Sequence, residues 1–163
     1  MDVIDDNGHW ECEFSFNPDE WFGFIYRIIE KSTGREYIGK KQFTKTKRKR
    51  IKGRKNRKHI KSESNWKEYT SSSEHINAAI ALNGIENYQF IIQSLHKTKG
   101  SLHYAEVRAQ VLEDVLRTRL LDGTRKYFNK QVGAVRYVPP DETVEESKHK
   151  SITYVSLHPK KTL

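Results

Sequence analysis

The residues of this chain that could do chemistry together begin with two tyrosines, Tyr26 and Tyr37. They lie in the stretch GFIYRIIEKSTGREYIGK, from Gly23 to Lys40, whose aromatic and β-branched residues predict a β-hairpin. A phenol hydroxyl can both donate and accept a proton, so two phenols held close together could act on one ligand atom. Strand tyrosines are also common packing residues with a solvated hydroxyl, and the hairpin alone leaves both interpretations open.

The register of the hairpin decides whether the two phenols meet. A four-residue turn, Lys31–Gly34, pairs Tyr26 with Gly39 and Ile28 with Tyr37. Side chains alternate between faces with a period of two, so this turn predicts both tyrosines on one face, about 7–8 Å apart between α-carbons. A turn that is one residue longer or shorter would place them on opposite faces.

An acidic residue, Glu106, interrupts the apolar side of a predicted helix. That helix begins at Gly100-Ser101 and is predicted to run to Gly123, with an apolar stripe formed by Leu102, Ala105, Ala109, Leu112, Leu116 and Leu120. Glu106 lies one turn after the first of these residues, so its carboxylate points at the sheet or at a groove beside it. A carboxylate held there needs a cation, and the spacing fits a metal ligand and a salt bridge to a lysine equally well.

The positive charge of the chain is concentrated in one segment. The formal net charge is +9, and 13 of the 30 Lys and Arg residues lie between Lys40 and Lys61, where Asp and Glu are absent. The remainder holds 17 basic and 21 acidic residues, so the basic character belongs to this segment alone. Such a patch releases counterions when it meets a phosphate backbone, which drives binding to nucleic acid. A solvated loop or a localisation signal is the alternative interpretation.

The remaining elements predict a small α+β domain. The hairpin strands at 21–30 and 35–39 come first, a helix follows between Ser71 and Gly84, and a third strand, Tyr88–Leu95, precedes the acidic helix described above. The order strand, strand, helix, strand, helix predicts a small, mainly antiparallel three-stranded sheet flanked by helices.

Composition divides the chain into three regions. Residues 1–20 hold seven acids and no Lys or Arg, which predicts an acidic N-terminal arm. Residues 21–138 are expected to form the domain, with residues 40–61 as a basic insertion, and residues 139–163 a polar C-terminal tail. Cys12 is the one cysteine and no run of 18 apolar residues occurs, so we expect a cytoplasmic protein without a disulfide or a membrane contact.

These motifs resemble the GIY-YIG nuclease superfamily over residues 21–135. Phe24-Ile25-Tyr26 stands where the family has Gly-Ile-Tyr, and Tyr37-Ile38-Gly39 matches the second triplet fully. SLHYAEVRAQVL resembles the helix with the family's metal-binding glutamate, which falls on Glu106, and YFNKQVG is similar to the closing segment, where Asn129 stands. The layout is similar to that of the short bacteriophage members.

The resemblance implies a metal-dependent endonuclease that hydrolyses phosphodiester bonds of double-stranded DNA. One tyrosine, Tyr26 or Tyr37, would take a proton from the attacking water or relay it, and Glu106 would hold one divalent ion, Mg²⁺ or another such as Mn²⁺. The family also has an arginine about ten residues beyond its second tyrosine, and we assign the clamping of the phosphate to Arg48. Asn129 would orient the phosphate or a water on the metal.

The basic insertion supplies charge and DNA contacts in this interpretation. A tyrosine has an ordinary pKa of about 10, so it needs nearby cations to act as a base near neutrality. The residues expected to hold phosphates without reading sequence are Lys40, Lys41, Lys47, Arg50, Arg54, Arg57 and His59. The expected specificity is low or directed at DNA shape. A homo-oligomer would let a single site break both strands, and the alternative to a nuclease is a nucleic-acid-binding protein that keeps the fold without cutting.

Overall fold

The computed structural model describes residues 6–142 and 144–147 of the chain. Its elements are β1 (Trp10–Glu11), β2 (Gly23–Glu30), β3 (Glu36–Gln42), β4 (Thr44–Lys49), β5 (Lys58–Glu63), α1 (Glu74–Asn83), β6 (Tyr88–His96), α2 (Lys99–Leu112) and β7 (Glu145–Glu146). The main sheet has the order β1-β6-β2-β3 with β7 against β6, and β4 and β5 form a separate two-stranded ribbon. In the part of the chain that the structure describes, no helix combines the length and the apolar character that crossing a membrane requires.

The predicted α+β fold is confirmed, with additions at the margins of the sheet. Strands β6, β2 and β3 are the three antiparallel strands that the sequence predicts. The short β1 pairs with β6 in parallel and β7 pairs with it in antiparallel, which makes the whole sheet mixed. Strand β3 lies at the edge of this sheet, and that position matters for the candidate site described below.

The register of the β2–β3 hairpin is the one predicted from its turn. Tyr26 pairs with Gly39, which places Tyr37 on the same face as Tyr26. The chain reverses at Gly34, whose φ is 78° and whose amide donates to the Glu30 carbonyl oxygen at 2.8 Å. Glycine adopts this left-handed conformation without the steric cost that a β-carbon brings, so the local sequence favours this turn length.

The two faces of the sheet bury different partners. The first face, called here the aromatic face, packs against α1, the segment around Trp10 and the turn at Trp66; its buried residues from the sheet include Phe24, Tyr26, Ile28, Phe90 and Ile92. The second face packs against α2, through a cluster formed by Ile25, Ile38, Leu102, Val115 and Tyr127. The alternation of side chains along β2 produces this division, because neighbouring residues of a strand point to opposite faces.

Trp10 belongs to the core although composition places it in the acidic arm. It is 4% exposed, pairs with Phe90 through β1 and β6, and donates its indole N–H to the Trp66 carbonyl oxygen. Its ring meets the rings of Phe24 and Tyr26 at centroid distances of 5.1 and 5.0 Å. The packed structure therefore begins before residue 21. The acidic composition around Trp10 does not indicate that this residue is buried.

The helix α2 ends earlier than its apolar pattern predicts. It stops at Leu112 rather than near Gly123, and the chain turns at Asp114, whose φ is 46°. Leu112 and Leu116 are 68% and 43% exposed, whereas Val115 folds back into the second face of the sheet. The prediction of a longer helix is wrong because the leucine repeat continues past the last position that the sheet can cover.

The basic insertion folds into the β4–β5 ribbon, an element that its charge pattern does not predict. Every residue of both strands is exposed, and Gly53 lies in the segment that joins them, with a φ of 86°. The base of the ribbon is anchored by Phe43, which is buried, and whose amide donates to the Phe22 carbonyl oxygen at 3.0 Å. The Phe43 carbonyl oxygen accepts from the Ser64 amide at 2.8 Å, so both strands leave the core at one fixed point.

The described part of the polar tail lies against the beginning of α2. The Pro140 carbonyl oxygen accepts from the Ser101 hydroxyl at 3.1 Å. The Glu142 carboxylate accepts from the Lys97 amide at 2.9 Å and lies 2.9 Å from Nδ1 of His96. The acidic arm and the tail were predicted to extend over residues 1–20 and 139–163, of which residues 1–5, 143 and 148–163 lie outside the described residues.

We expect Trp10→Ala to lower the free energy of unfolding by about 3–5 kcal/mol, because it removes a large buried ring from the aromatic core. Leu112→Ala, at the exposed end of α2, should change it by less than about 0.5 kcal/mol. Urea unfolding of the two variants beside the wild type measures both effects. Equal unfolding midpoints for Trp10→Ala and the wild type would contradict the placement of Trp10 in the core.

Candidate active site

The rings of Tyr26 and Tyr37 stack on the aromatic face of the sheet. Their centroids are 6.1 Å apart and their planes are inclined by 29°. Tyr26 is 1% exposed, whereas Tyr37 is only partly buried and lies on β3 at the edge of the sheet. The prediction that the two phenols lie together is confirmed, and Tyr37 is the one that a ligand in solution reaches first.

Gly39 makes this stacking sterically feasible. A β-carbon at Gly39 would lie 2.5 Å from the hydroxyl oxygen of Tyr26 and 2.9 Å from Cε1 of Tyr37. Contacts this short force side chains to move, and Tyr26 is enclosed by the core on its other sides. Packing therefore explains the glycine of the Tyr37-Ile38-Gly39 triplet, because a residue without a β-carbon leaves space for the Tyr26 phenol.

Burial raises the pKa of both phenols. The pKa of Tyr26 lies well above its ordinary value, first because of burial and then because of the neighbouring Tyr37. At Tyr37 burial is again the largest cause of a raised pKa; hydrogen bonding with the Ser71 side chain lowers that pKa, and the Glu106 carboxylate raises it. Both phenols are therefore protonated at neutral pH. The expectation that cations would bring these pKa values toward neutrality is wrong, because burial is the largest cause at both phenols and, within the described residues, no Lys or Arg is among the groups that lower either pKa.

Lys41 and Tyr69 complete the aromatic side of this site. The Lys41 ammonium lies 4.0 Å from the centroid of the Tyr69 ring and donates to Oδ1 of Asn65 at 3.0 Å. The Tyr69 ring meets the Tyr26 ring edge-on, with centroids 6.1 Å apart. Lys41 pairs with Phe24 across the hairpin, which puts it on the tyrosine face. The sequence indicates this placement, because side chains alternate along β3 and Lys41 lies an even number of residues from Tyr37.

Glu106 forms a salt bridge with Lys40, which points to the second face of the sheet. The Lys40 ammonium donates to Oε1 of Glu106 at 2.7 Å and to Nδ1 of His103 at 3.0 Å. Nε2 of His103 lies 3.0 Å from the Ala134 carbonyl oxygen, and these two partners select the tautomer with the proton on Nε2. The Glu106 side chain is 16% exposed. The sequence left a metal ion and a lysine as alternative partners of Glu106, and a lysine of the basic segment is in contact with its carboxylate.

Asn129 holds the backbone of β3 beside Tyr37. Its Oδ1 accepts from the Ile38 amide at 3.0 Å and its Nδ2 donates to the Ile38 carbonyl oxygen at 2.8 Å. Gln110 of α2 donates to the same carbonyl at 3.1 Å. Asn129 is 3% exposed, so its amide satisfies the free edge of the strand inside the protein. Asn129 thus binds the backbone of the residue next to Tyr37, and its expected contact with a phosphate stays a prediction.

The other candidate residues of the basic insertion lie on the ribbon. Arg48 pairs with His59 across the two strands, and Lys47 is the neighbour of Arg48 in β4. The segment between the strands carries Arg50, Arg54 and Arg57. Among the described residues, these side chains have no hydrogen bond or ion pair with Tyr26, Tyr37 or Glu106. The structure therefore does not bring Arg48 to the tyrosines, because the insertion extends outward as a ribbon.

Any metal at this site would depend on Glu106. Within residues 6–142 and 144–147, His, Cys, Asp and Glu form no group of three or more that could hold a metal ion. Oε1 of Glu106 accepts from Lys40, while for Oε2 no partner occurs among the described residues. A single carboxylate fits Mg²⁺, which keeps several waters and is commonly held through one or two carboxylates and substrate phosphates.

A cavity of about 370 Å³ opens on the second face of the sheet, away from the tyrosines. Its walls come from α2, β6 and the tail, and Arg27, Tyr104 and His96 are among its lining residues. Arg27 is held there by Glu36 at 2.9 Å. Tyr26, Tyr37 and Glu106 take no part in its lining, so we place the candidate site at the exposed edge of β3 and not in this cavity.

Comparison with known families confirms the resemblance. The family described as "Putative endonuclease segE, GIY-YIG domain" matches residues 9–132. Three quarters of the chain are thus covered, including both tyrosine triplets, α2 and the segment around Trp10. The chain therefore belongs to the GIY-YIG endonuclease superfamily, in its segE-like branch, and its domain is of the nuclease type. No curated protein and no solved structure matches the chain.

The raised pKa of Tyr26 makes the fold sensitive to alkaline pH. Tyrosine in the unfolded chain titrates near about pH 10, while the buried phenol keeps its proton to higher pH. The folded state then binds more protons, so stability is fully present below about pH 10 and falls as the pH rises above it. We expect Tyr26→Phe to reduce this decline by up to about 1.4 kcal/mol per pH unit.

Urea unfolding at several alkaline pH values measures this difference. Tyr104→Phe is the matched control because Tyr104 is 42% exposed on α2. Other buried tyrosines contribute to the same decline, so part of it should remain in Tyr26→Phe. Identical pH dependence in Tyr26→Phe and the wild type would contradict the protonated, buried state of this phenol.

Proposed function

We propose that the chain is a metal-dependent endonuclease that hydrolyses phosphodiester bonds of double-stranded DNA at the exposed edge of β3. The observation that carries this proposal is the β2–β3 register, which stacks Tyr26 on Tyr37 beside the edge strand whose Lys40 binds Glu106. The basic ribbon begins at the end of the same strand. Specificity for sequence is low in this proposal. One site cuts one strand, so a double-strand break requires a second copy of the chain or a second nick.

Tyr37 is the reacting phenol in this proposal, and Tyr26 supports it. Tyr37 lies at the edge of the sheet, while Tyr26 is enclosed by the core. With a raised pKa, Tyr37 works as a relay and not as a free base. The attacking water forms a bond to phosphorus and gives its proton to the Tyr37 oxygen, which passes its own proton to a phosphoryl oxygen. The bond from phosphorus to the leaving oxygen breaks, and that oxygen takes a proton from solvent.

Glu106 is the residue that would hold the divalent ion, Mg²⁺ or Mn²⁺, through its carboxylate. An ion held there would neutralise charge that develops on the phosphate and would make a bound water more acidic. Lys40 orients the Glu106 side chain by donating a hydrogen bond to it, and His103 holds the Lys40 ammonium by accepting a second one. They also keep the carboxylate close to the edge strand that carries Tyr37.

Lys41 supplies the cation for the phosphate in this proposal, in place of Arg48. Lys41 lies on the tyrosine face and its ammonium rests on the Tyr69 ring, which in turn contacts Tyr26. Lysine is a compact point charge, so it neutralises a phosphate without the two parallel hydrogen bonds that an arginine gives. A weaker clamp of this kind also favours the second candidate, a binding protein that has kept the nuclease fold and lost the chemistry.

We expect Glu106→Gln to slow the nicking of supercoiled plasmid in Mg²⁺ by at least about 100-fold, because it removes the charge that holds the ion. Binding of duplex DNA by this variant should stay close to that of the wild type, and EDTA should stop nicking by the wild type. Glu86→Gln is the matched control, because Glu86 is an exposed acid in the turn between α1 and β6.

Gel analysis of plasmid forms measures nicking, and fluorescence anisotropy measures binding. Nicking that continues in EDTA would refute metal dependence. A wild-type protein that binds duplex and branched DNA but cuts neither with Mg²⁺ nor with Mn²⁺ would establish the binding protein instead.

We expect Lys41→Ala to lower the cleavage rate at saturating enzyme by about 100-fold, because a charge beside the phosphate is lost. Lys41→Arg should recover part of that rate, since it restores the charge. Lys31→Ala is the control, at the hairpin turn at the other end of β3. Single-turnover kinetics measures the three rates. A larger loss of rate in Arg48→Ala than in Lys41→Ala would return the clamping role to Arg48.

A further inference from the structure

The two faces of the β4–β5 ribbon differ in charge. Residues paired across an antiparallel ladder lie on the same face. One face is formed by the pairs Lys45–Ser62, Lys47–Ile60 and Lys49–Lys58, and the other by Thr44–Glu63, Thr46–Lys61 and Arg48–His59. The first face carries a formal charge of +4 and no acid, whereas the second carries +1 with the histidine neutral. The register of the ribbon thus sorts lysines onto a single face.

The lysine face continues from the candidate active site. Lys41 lies on the tyrosine side of β3, and its pKa is lowered first by burial and then by the positive charge of Lys45. The two ammonium groups are therefore close enough to repel each other, although Phe43 lies between the strands that carry them. We call the set Lys41, Lys45, Lys47, Lys49 and Lys58 the lysine row.

The ribbon part of the row has no counter-charge within the described residues. Lys45, Lys47, Lys49 and Lys58 have no side-chain hydrogen bond or ion pair with another described residue, and Lys49 stands directly opposite Lys58. Like charges that face each other across a ladder destabilise it. Four cations held together in this way indicate a surface that is completed by an anionic partner.

The base of the ribbon fixes the direction of the row relative to Tyr37. The Ser64 hydroxyl donates to the Gln42 carbonyl oxygen at 2.7 Å, and Lys41 donates to Asn65 at 3.0 Å. Trp66, which follows, is 1% exposed. A row that starts at the catalytic edge and is anchored there suits a long, continuous anion that passes through the site.

We propose that the lysine row binds the phosphate backbone of duplex DNA next to the cleaved bond, and that the face with Arg48 and His59 turns away from that backbone. Alternate residues of a strand are about 6.5 Å apart, so Lys45 and Lys49 are separated by about 13 Å. Three or four phosphates of one strand occupy that length of duplex, at about 3.4 Å of helix axis each. The inference rests on the proposed function for the substrate, but the binding of DNA by the row does not require cleavage.

The test uses neighbouring residues that point to opposite faces of the ribbon. In the full-length Glu106→Gln protein with EDTA, Lys47→Ala and Arg48→Ala remove one charge each from adjacent positions of β4. Duplex binding is measured by anisotropy over a range of salt concentrations. Lys47→Ala should reduce the slope of log affinity against log salt by about 0.9, and a Lys45→Ala/Lys49→Ala double variant by about 1.8. Arg48→Ala should change the slope by less than half of the Lys47→Ala effect.

Three results would overturn the inference. Equal slopes for Lys47→Ala and Arg48→Ala would mean that both faces of the ribbon contribute equally to DNA binding. A larger effect of Arg48→Ala would mean that the face with Arg48 contacts the DNA. Tighter binding to single-stranded RNA or to an acidic protein than to duplex DNA would assign another partner.

The outcome is separable from that of the proposed function. A protein with the expected difference in slopes that never nicks plasmid refutes the nuclease and keeps the lysine row. A protein that nicks plasmid but shows equal slopes keeps the nuclease and refutes the row. All ribbon positions are exposed, so unfolding midpoints of the variants should match that of their parent and confirm that folding is intact.

Discussion

The close approach of Gly39 to the ring of Tyr26 is the contact on which the rest of the site depends. Only a residue without a β-carbon leaves that volume free, and only one register of β2 against β3 puts Gly39 there. A slip by one residue would turn Tyr37 toward α2 and empty the aromatic face of its second phenol. The register is held from outside the hairpin as well, because Asn129 and Gln110 bind both backbone groups of Ile38.

Because β3 is an edge strand, one short element connects all parts of the site. Tyr37 lies on its aromatic face, Lys40 and its partner Glu106 lie at the other face, and the strand ends where the ribbon begins. Burial within an aromatic core keeps the phenols protonated, which suits hydrogen-bond donation and proton relay better than abstraction of a proton. In the proposed function, the charge that a phosphate requires is therefore left to Lys41 and to the residues beyond it.

Much of this site can be predicted from local sequence. The turn before Arg35 sets the hairpin register, and the period-two alternation then places Tyr26 and Tyr37 together without knowledge of the remaining chain. The position of Glu106 one turn from Leu102 predicts that its carboxylate faces a cation near the sheet, which the contact with Lys40 provides. These features depend on residues a few positions apart, where backbone geometry leaves few alternatives.

The amino-acid sequence by itself therefore determined the hairpin, the pairing of its tyrosines and the helix with its glutamate. Only the tertiary structure decided where that helix ends, that Trp10 belongs to the core, that the basic segment forms a two-faced ribbon which carries Arg48 outward, and that Asn129 holds the β3 strand. Each of these depends on burial and on partners distant in the chain, as with Asn129 and Ile38, which are 91 residues apart. Periodicity and composition record the types of residue along the chain, but they do not record which surface is covered when it folds.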